Sequence, residues 1–153
     1  MQIFLVYHEA ETTATGQRTK SEIYQKGDLK EQVAAANQNA LKLAAEGDEL
    51  TQYYIAYLVY LDEYNLTQSE EALNKAQEAL NMINIIGSLR LILEQLNSAR
   101  VNRKQISPEL KKKIDLLLPT IPQEKIPLIK VQLAAMEYFL KPPTLESLSL
   151  IHI

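Results

Sequence analysis

Apolar side chains recur at helical spacing along most of the chain, with alanine, glutamate and glutamine filling many of the positions between them. The clearest run is residues 70–80, in which alanine recurs at spacings of four and three residues. A weaker copy lies 39 residues upstream, where Val33 corresponds to Ala72 and Ala40 corresponds to Ala79. A pattern that returns at a fixed period is typical of stacked helical repeats.

Capping signals divide the chain into helices. Asp28 and Thr67 each precede a glutamate by three residues, as in a capping box, and Ser107 precedes a proline suited to the first helical position. Gly47 and Gly87 are suited to helix ends. The sequence therefore predicts an all-α, antiparallel array of about six helices, without a strand in the core. The predicted helices are 28–46, 48–64, 67–84, 88–104, 107–118 and 124–141.

The two ends of the chain differ from this helical domain, which we predict over 27–141. Residues 1–26 include a stretch rich in Thr, Glu, Gln and Ser without an apolar period, and we expect a mobile arm there. Residues 142–153 are expected to form an irregular tail. Their ending, Ser147–Ile153, resembles translated library-adapter sequence, which would make the tail non-native. The alternative is a short, poorly ordered natural terminus.

The second and third predicted helices resemble a tetratricopeptide repeat when they are placed in register. That family has a Leu-Gly/Ala pair on its first helix and two small residues on its second. Here Ile55-Ala56 matches the pair, while Ala72 and Ala79 match the small positions. The chain departs from the family in having alanine, not an aromatic residue, between those two positions. The resemblance covers roughly residues 28–84 and implies a superhelix with a concave, peptide-binding groove. An unrelated helical bundle is the alternative.

Four tyrosines form a stripe along the second predicted helix and are the candidate partner contacts. Tyrosine combines a flat apolar area with a polar tip, as interface anchors do. In the repeat family this helix would line the concave groove. The alternative is packing in the core, because the other faces of the helix are also apolar. The stripe consists of Tyr53, Tyr57, Tyr60 and Tyr64.

Charge is divided between the two halves of the chain. Residues 1–84 carry a net charge of −7 and residues 85–153 a net charge of +4. This division favours head-to-tail contacts or an oppositely charged partner. A cationic cluster in the second half suggests an alternative function, a nucleic-acid-binding helix–turn–helix protein, although a solvated surface is the simpler interpretation. The cluster consists of Arg100, Arg103, Lys104, Lys111, Lys112 and Lys113.

The sequence contains no recognisable catalytic or metal-binding motif. There is no cysteine, and the two histidines, His8 and His152, belong to no metal-binding pair. We therefore predict a protein that is not an enzyme and has no cofactor, although an enzyme with a truncated terminus is a third alternative. No signal peptide or membrane span is visible, which favours the cytoplasm. The predicted function is a soluble protein–protein interaction module that binds a protein, a peptide or its own copies.

Overall fold

The computed structural model describes residues 12–27 and 29–141, and this part of the chain is helical and contains no β-strand. The all-α prediction is therefore confirmed. One 3-10 turn, Leu118–Thr120, follows the fifth helix. The helices are α1 (Ala14–Lys26), α2 (Lys30–Ala44), α3 (Glu49–Thr67), α4 (Glu70–Val101), α5 (Pro108–Leu117) and α6 (Pro127–Leu140).

The chain divides into two compact units, residues 1–83 and residues 84–153, which we call the first and second units. The boundary falls inside α4. The single helical domain that the sequence predicts over 27–141 stays a prediction.

Helix α1 lies where the sequence predicted part of a mobile arm. Its buried side chains are Gln17, Arg18 and Ser21, all of them polar. A helix that buries polar groups has no apolar stripe, so its periodicity is invisible to a hydrophobic pattern. The prediction is therefore wrong for Ala14–Lys26. Residues 1–11, and the predicted tail at 142–153, lie outside the described residues.

Two predicted helix starts are confirmed by hydrogen bonds. The backbone N–H of Thr51 donates to Asp48 Oδ1 at 2.9 Å at the start of α3. The backbone N–H of Leu110 donates to Ser107 Oγ at 3.1 Å at the start of α5. In both cases a short polar side chain accepts a hydrogen bond from an N–H that has no partner within the helix. The predicted cap at Asp28 lies outside the described residues.

The sequence predicted that Thr67 begins the next helix, but in the structure Thr67 is the last residue of α3. Its hydroxyl donates to the carbonyl oxygen of Glu63 at 2.7 Å, one turn earlier in α3. Ser69 takes the capping role, because its Oγ accepts from the backbone N–H of Ala72 at 3.4 Å. Helix α4 accordingly begins at Glu70.

Helix α4 is continuous where the sequence predicted two helices separated at Gly87. This glycine does not have a positive φ. Buried side chains continue through it at helical spacing, at Ile85, Leu89, Ile92 and Leu96. A glycine inside a helix costs about 1 kcal/mol relative to alanine. Burying one such apolar side chain contributes about 1.5–3 kcal/mol. Burial therefore outweighs the stop signal.

The buried cluster between α2 and α3 combines alanines on α2 with β-branched side chains on α3. Ala40 and Ala44 of α2 pack with Ile55 and Val59 of α3 in one buried cluster. Alanine lets the two helix backbones approach closely, so a short apolar side chain on one helix contacts the other. The core of this unit is correspondingly thin, and polar contacts hold α1 against it.

The second unit has a core of larger aliphatic side chains from α4, α5 and α6, with Ile86, Leu110, Ile114 and Ile129 among those buried. Gln132 is also buried, and its Nε2 donates to the carbonyl oxygen of Ile86 at 3.2 Å, which joins α6 to α4. Together these contacts hold α4 and α5 in place, and those two helices form the candidate site.

Candidate functional site

A buried polar cluster joins α1, α2 and α3 in the first unit. Arg18 Nη1 of α1 contacts Asp62 Oδ2 of α3 in an ion pair, and their side chains are 6% and 11% exposed. The same Arg18 nitrogen donates to Asn37 Oδ1 of α2 at 2.7 Å. Asp62 Oδ2 also accepts from Asn37 Nδ2 at 3.1 Å and from Gln25 Nε2 at 2.9 Å.

This cluster has a structural role that the sequence analysis missed. Asp62 Oδ2 is surrounded by donors, which compensates the charge of a carboxylate taken out of water. Arginine stays protonated in proteins, so Arg18 keeps the positive charge that pairs with Asp62. Arg18 was assigned to the mobile arm, and Asp62 sits in a largely apolar run. Because Glu63 follows Asp62 directly, the sequence gives no sign that the aspartate is the buried one of the two.

The structure places the four candidate tyrosines on α3, where each is partly buried. Lys75 Nζ of α4 lies 5.2 Å from the centroid of the Tyr60 ring, which is within the range of a cation–π contact. Burial raises the pKa of Tyr53, and the nearby charge of Glu49 raises it further. The tyrosine stripe is therefore partly packed against the protein and partly accessible to solvent. Tyr54, outside the stripe, is the more exposed tyrosine of this helix.

The cationic cluster does not form one surface. The guanidinium of Arg100 lies 4.5 Å from the Tyr138 ring centroid and donates to the Tyr138 hydroxyl oxygen at 3.1 Å, so it is held against α6. Lys104 and Lys113 line a polar hollow of about 310 Å³ between the end of α4 and the start of α5. The structure thus brings two of the six cations together at one hollow and holds Arg100 against an aromatic ring.

An apolar groove of about 400 Å³ runs between α4 and α5 in the second unit. Leu91 on the α4 side and Leu116 on the α5 side are 62% and 65% exposed. Leucine is usually buried, so two exposed leucines facing one groove distinguish it from ordinary surface. The groove is lined by Leu91, Ile92 and Gln95 of α4 and by Lys113, Leu116 and Leu117 of α5.

The sequence contains a signal for this groove in two leucines that fall outside the core period of their helices. The buried positions of α4 pass from Leu89 to Ile92, which leaves Leu91 outside the core period. On α5 the core period runs through Leu110 and Ile114, and Leu116 lies outside it. A leucine that a helix does not need for its own core is a candidate contact residue.

The described residues contain no group of three or more His, Cys, Asp or Glu side chains arranged to hold a metal ion. Within the same part of the chain, no helix is long and apolar enough to cross a membrane. Comparison with protein-family models, curated protein sequences and solved structures finds no match to this chain. Its function must therefore be inferred from its own surfaces.

Proposed function

We propose that this chain is a non-catalytic protein-interaction module of helical-repeat type, and that the groove between α4 and α5 is its main binding site. The observation that carries the proposal is the exposure of Leu91 and Leu116 on opposite sides of one groove. Burying an exposed leucine in a complex contributes up to about 1.5–3 kcal/mol, so two of them supply a useful part of a binding energy.

The positions of the helices support the repeat. Adding 39 residues to the bounds of α1 gives 53–65, which lies within Glu49–Thr67 of α3. Adding 39 to the bounds of α2 gives 69–83, and α4 begins at Glu70. The α1–α2 pair is thus followed by an equivalent α3–α4 pair. The period is longer than the 34 residues of tetratricopeptide repeats, so the resemblance is to the helix-pair architecture.

On the second helix of each pair, burial recurs at the same period. Val33 and Ala72 are 39 residues apart and both are buried, as are Ala40 and Ala79. Equivalent positions on the second helix of each pair therefore face a core. The buried residues Gln17, Arg18 and Ser21 of α1 correspond to partly buried positions of α3, so this support for a duplicated unit comes from the second helices. The four tyrosines lie on α3, the first helix of the second pair, and are a second candidate surface.

Binding to helical peptides tests the proposed site. A random library of helical peptides is displayed on phage, binders are selected on the full chain, and their affinity is measured by fluorescence anisotropy. The change of Leu116→Asp should weaken binding about tenfold or more, because an anchor position is lost and a charge is buried. Far-UV circular dichroism confirms that each variant is folded.

The matched control is Val131→Asp on α6. Val131 is 67% exposed and belongs to the second unit, but does not line the groove. The control should bind the selected peptides with unchanged affinity. Binders that tolerate Leu116→Asp and are lost in Tyr57→Ala would place the site on the tyrosine stripe instead.

Nucleic-acid binding is the alternative function, and one observation favours it. Lys104 and Lys113 lie at one hollow beside the start of α5, where a phosphate would also meet the N-terminal end of a helix. The engagement of Arg100 with Tyr138 reduces the number of cations free to contact a backbone. A titration with nucleic acid, described below, separates the two functions.

A further inference from the structure

We infer that the partner of the groove is an amphipathic helix whose polar face carries acidic residues. This inference rests on the proposed function, since it specifies the partner of the same groove. It depends on the length of the groove, on the charges beside it, and on which of those charges are already paired.

The groove has the dimensions of a helix-binding site. Its α4 wall extends from Ser88 to Gln95, seven residues apart, or about 10 Å at 1.5 Å per residue. That length matches about two turns of a docked helix, which presents apolar side chains at positions i, i+3 or i+4, and i+7. Leu91 and Leu116 lie on opposite walls of the groove and would contact the apolar side chains of a docked helix from two sides.

The α5 wall of the groove is cationic. Lys113 lines the groove directly. Lys112 lies four residues before Leu116, and residues at this spacing are neighbours on a helix surface. Among the residues that the structure describes, no carboxylate forms an ion pair with either lysine. Both ammonium groups are exposed and can pair with a partner.

Acidic groups near the groove do not cancel this charge. Asp115 lies beside Leu116 on α5, and Glu94 lies on α4, where Arg90 precedes it by four residues. Glu109 precedes Lys113 by four residues, and α5 keeps a net positive charge because its three lysines outnumber its two acidic residues. A docked helix with acidic residues would therefore meet attraction along α5, whereas a basic helix would meet repulsion.

Three synthetic peptides with the same leucine stripe test the inference, with glutamate, glutamine or lysine at the polar positions. Binding to the full chain is measured by fluorescence anisotropy at low and at physiological salt. The glutamate peptide should bind more tightly than the lysine peptide by about tenfold, and the difference should shrink as salt is added. The glutamine peptide should fall between them.

Two variants assign this preference to the groove. Lys113→Glu should reduce or reverse the preference for the glutamate peptide, while Leu116→Asp should weaken all three peptides. Lys125→Glu is the matched control, since it makes the same change of charge at an exposed residue that does not line the groove. The control should keep most of the preference.

The outcomes separate this inference from the proposed function. Equal binding of all three peptides, lost in Leu116→Asp, would support the groove and overturn its acidic partner. If no peptide binds, or if binding does not depend on Leu116, both the proposed groove and its acidic partner are overturned. Sedimentation velocity measures whether the full chain forms dimers. A dimer of the full chain that dissociates in Leu116→Asp would identify a second copy as the occupant and would also overturn the inference.

Discussion

Replacing Asp62 with alanine is expected to destabilise the first unit by about 3 kcal/mol. Removing one partner of a buried ion pair typically costs about 3–5 kcal/mol, because the remaining charge stays buried without compensation. Here the remaining charge is that of Arg18, whose side chain is 6% exposed. Gln25 and Asn37 would also lose the carboxylate oxygen to which they donate.

The lower end of that range is expected because Arg18 has a second carboxylate within reach. Its Nη2 lies 4.0 Å from Glu22 Oε1, one turn along α1, and the Glu22 side chain is 64% exposed. A small movement of the guanidinium towards solvent would let Glu22 replace part of the lost interaction. An exposed pair of this kind contributes only about 0.3–0.5 kcal/mol, so the compensation is partial.

Amide hydrogen exchange is the appropriate assay, because the chain has two units and one unfolding transition cannot be assumed. Exchange in α1 and α3 should accelerate in Asp62→Ala and stay unchanged in α5 and α6. Glu22→Ala is the control and should cost no more than about 0.5 kcal/mol. A loss below about 1 kcal/mol in Asp62→Ala would refute the reasoning, because it would mean that Arg18 is solvated at little cost.

Four further changes test the fold and the alternative function. Ala79→Leu should overpack a buried helix contact and cost roughly 1–3 kcal/mol; an unchanged thermal midpoint would contradict the repeat register. Gly87→Ala should stabilise α4 by about 0.5–1 kcal/mol in urea denaturation, because nothing lies within 4 Å of the added Cβ. The backbone and side-chain hydrogen bonds from Thr51 lower the pKa of Asp48. The stability that these bonds supply is therefore present at a pH above the pKa of an ordinary aspartate, and it is lost as the pH falls through the lowered pKa. Asp48→Asn should reduce that acid dependence in a pH series of thermal melts. Replacing the lysines at 111–113 with glutamine should leave the fold intact, and we expect no salt-sensitive nucleic-acid binding at physiological salt; such binding, if lost in the triple variant, would favour the helix–turn–helix alternative.

Much of the helical organisation could be predicted from the sequence, because its causes are local. The side chain of Ser107 and the proline after it specify a helix start within four residues of chain, and the structure has that start. The same holds for Asp48. The predicted break at Gly87 is absent because tertiary burial overrides the glycine, and the predicted start at Thr67 moves because Ser69 takes the capping role.

The remaining features depend on contacts between residues far apart in sequence. The ion pair between Arg18 and Asp62 spans 44 residues, and neither residue alone indicates a partner. The groove likewise needs Leu91 and Leu116 to face one another, which only the packing of α5 against α4 determines. The tyrosine stripe was visible in the sequence because it belongs to one helix, and whether it contacts a partner stays a prediction.

The position of the polar cluster within the proposed repeat suggests why the first unit retains a buried charge. The second helices of the two proposed pairs, α2 and the beginning of α4, both bury small side chains, among them Ala40 and Ala79. They differ at several equivalent positions, and at one of these Asn37 of α2 corresponds to Ala76 of α4, where both residues are buried. Only α2 can accept a hydrogen bond from Arg18 there. We interpret the cluster as the feature that selects this pairing, a role that buried polar groups have in some helical assemblies. In that case the double variant Arg18→Met with Asp62→Leu should keep most of the stability, yet its amide NMR spectrum should show more than one set of signals for α1. A single sharp set would mean that apolar packing alone determines where α1 lies.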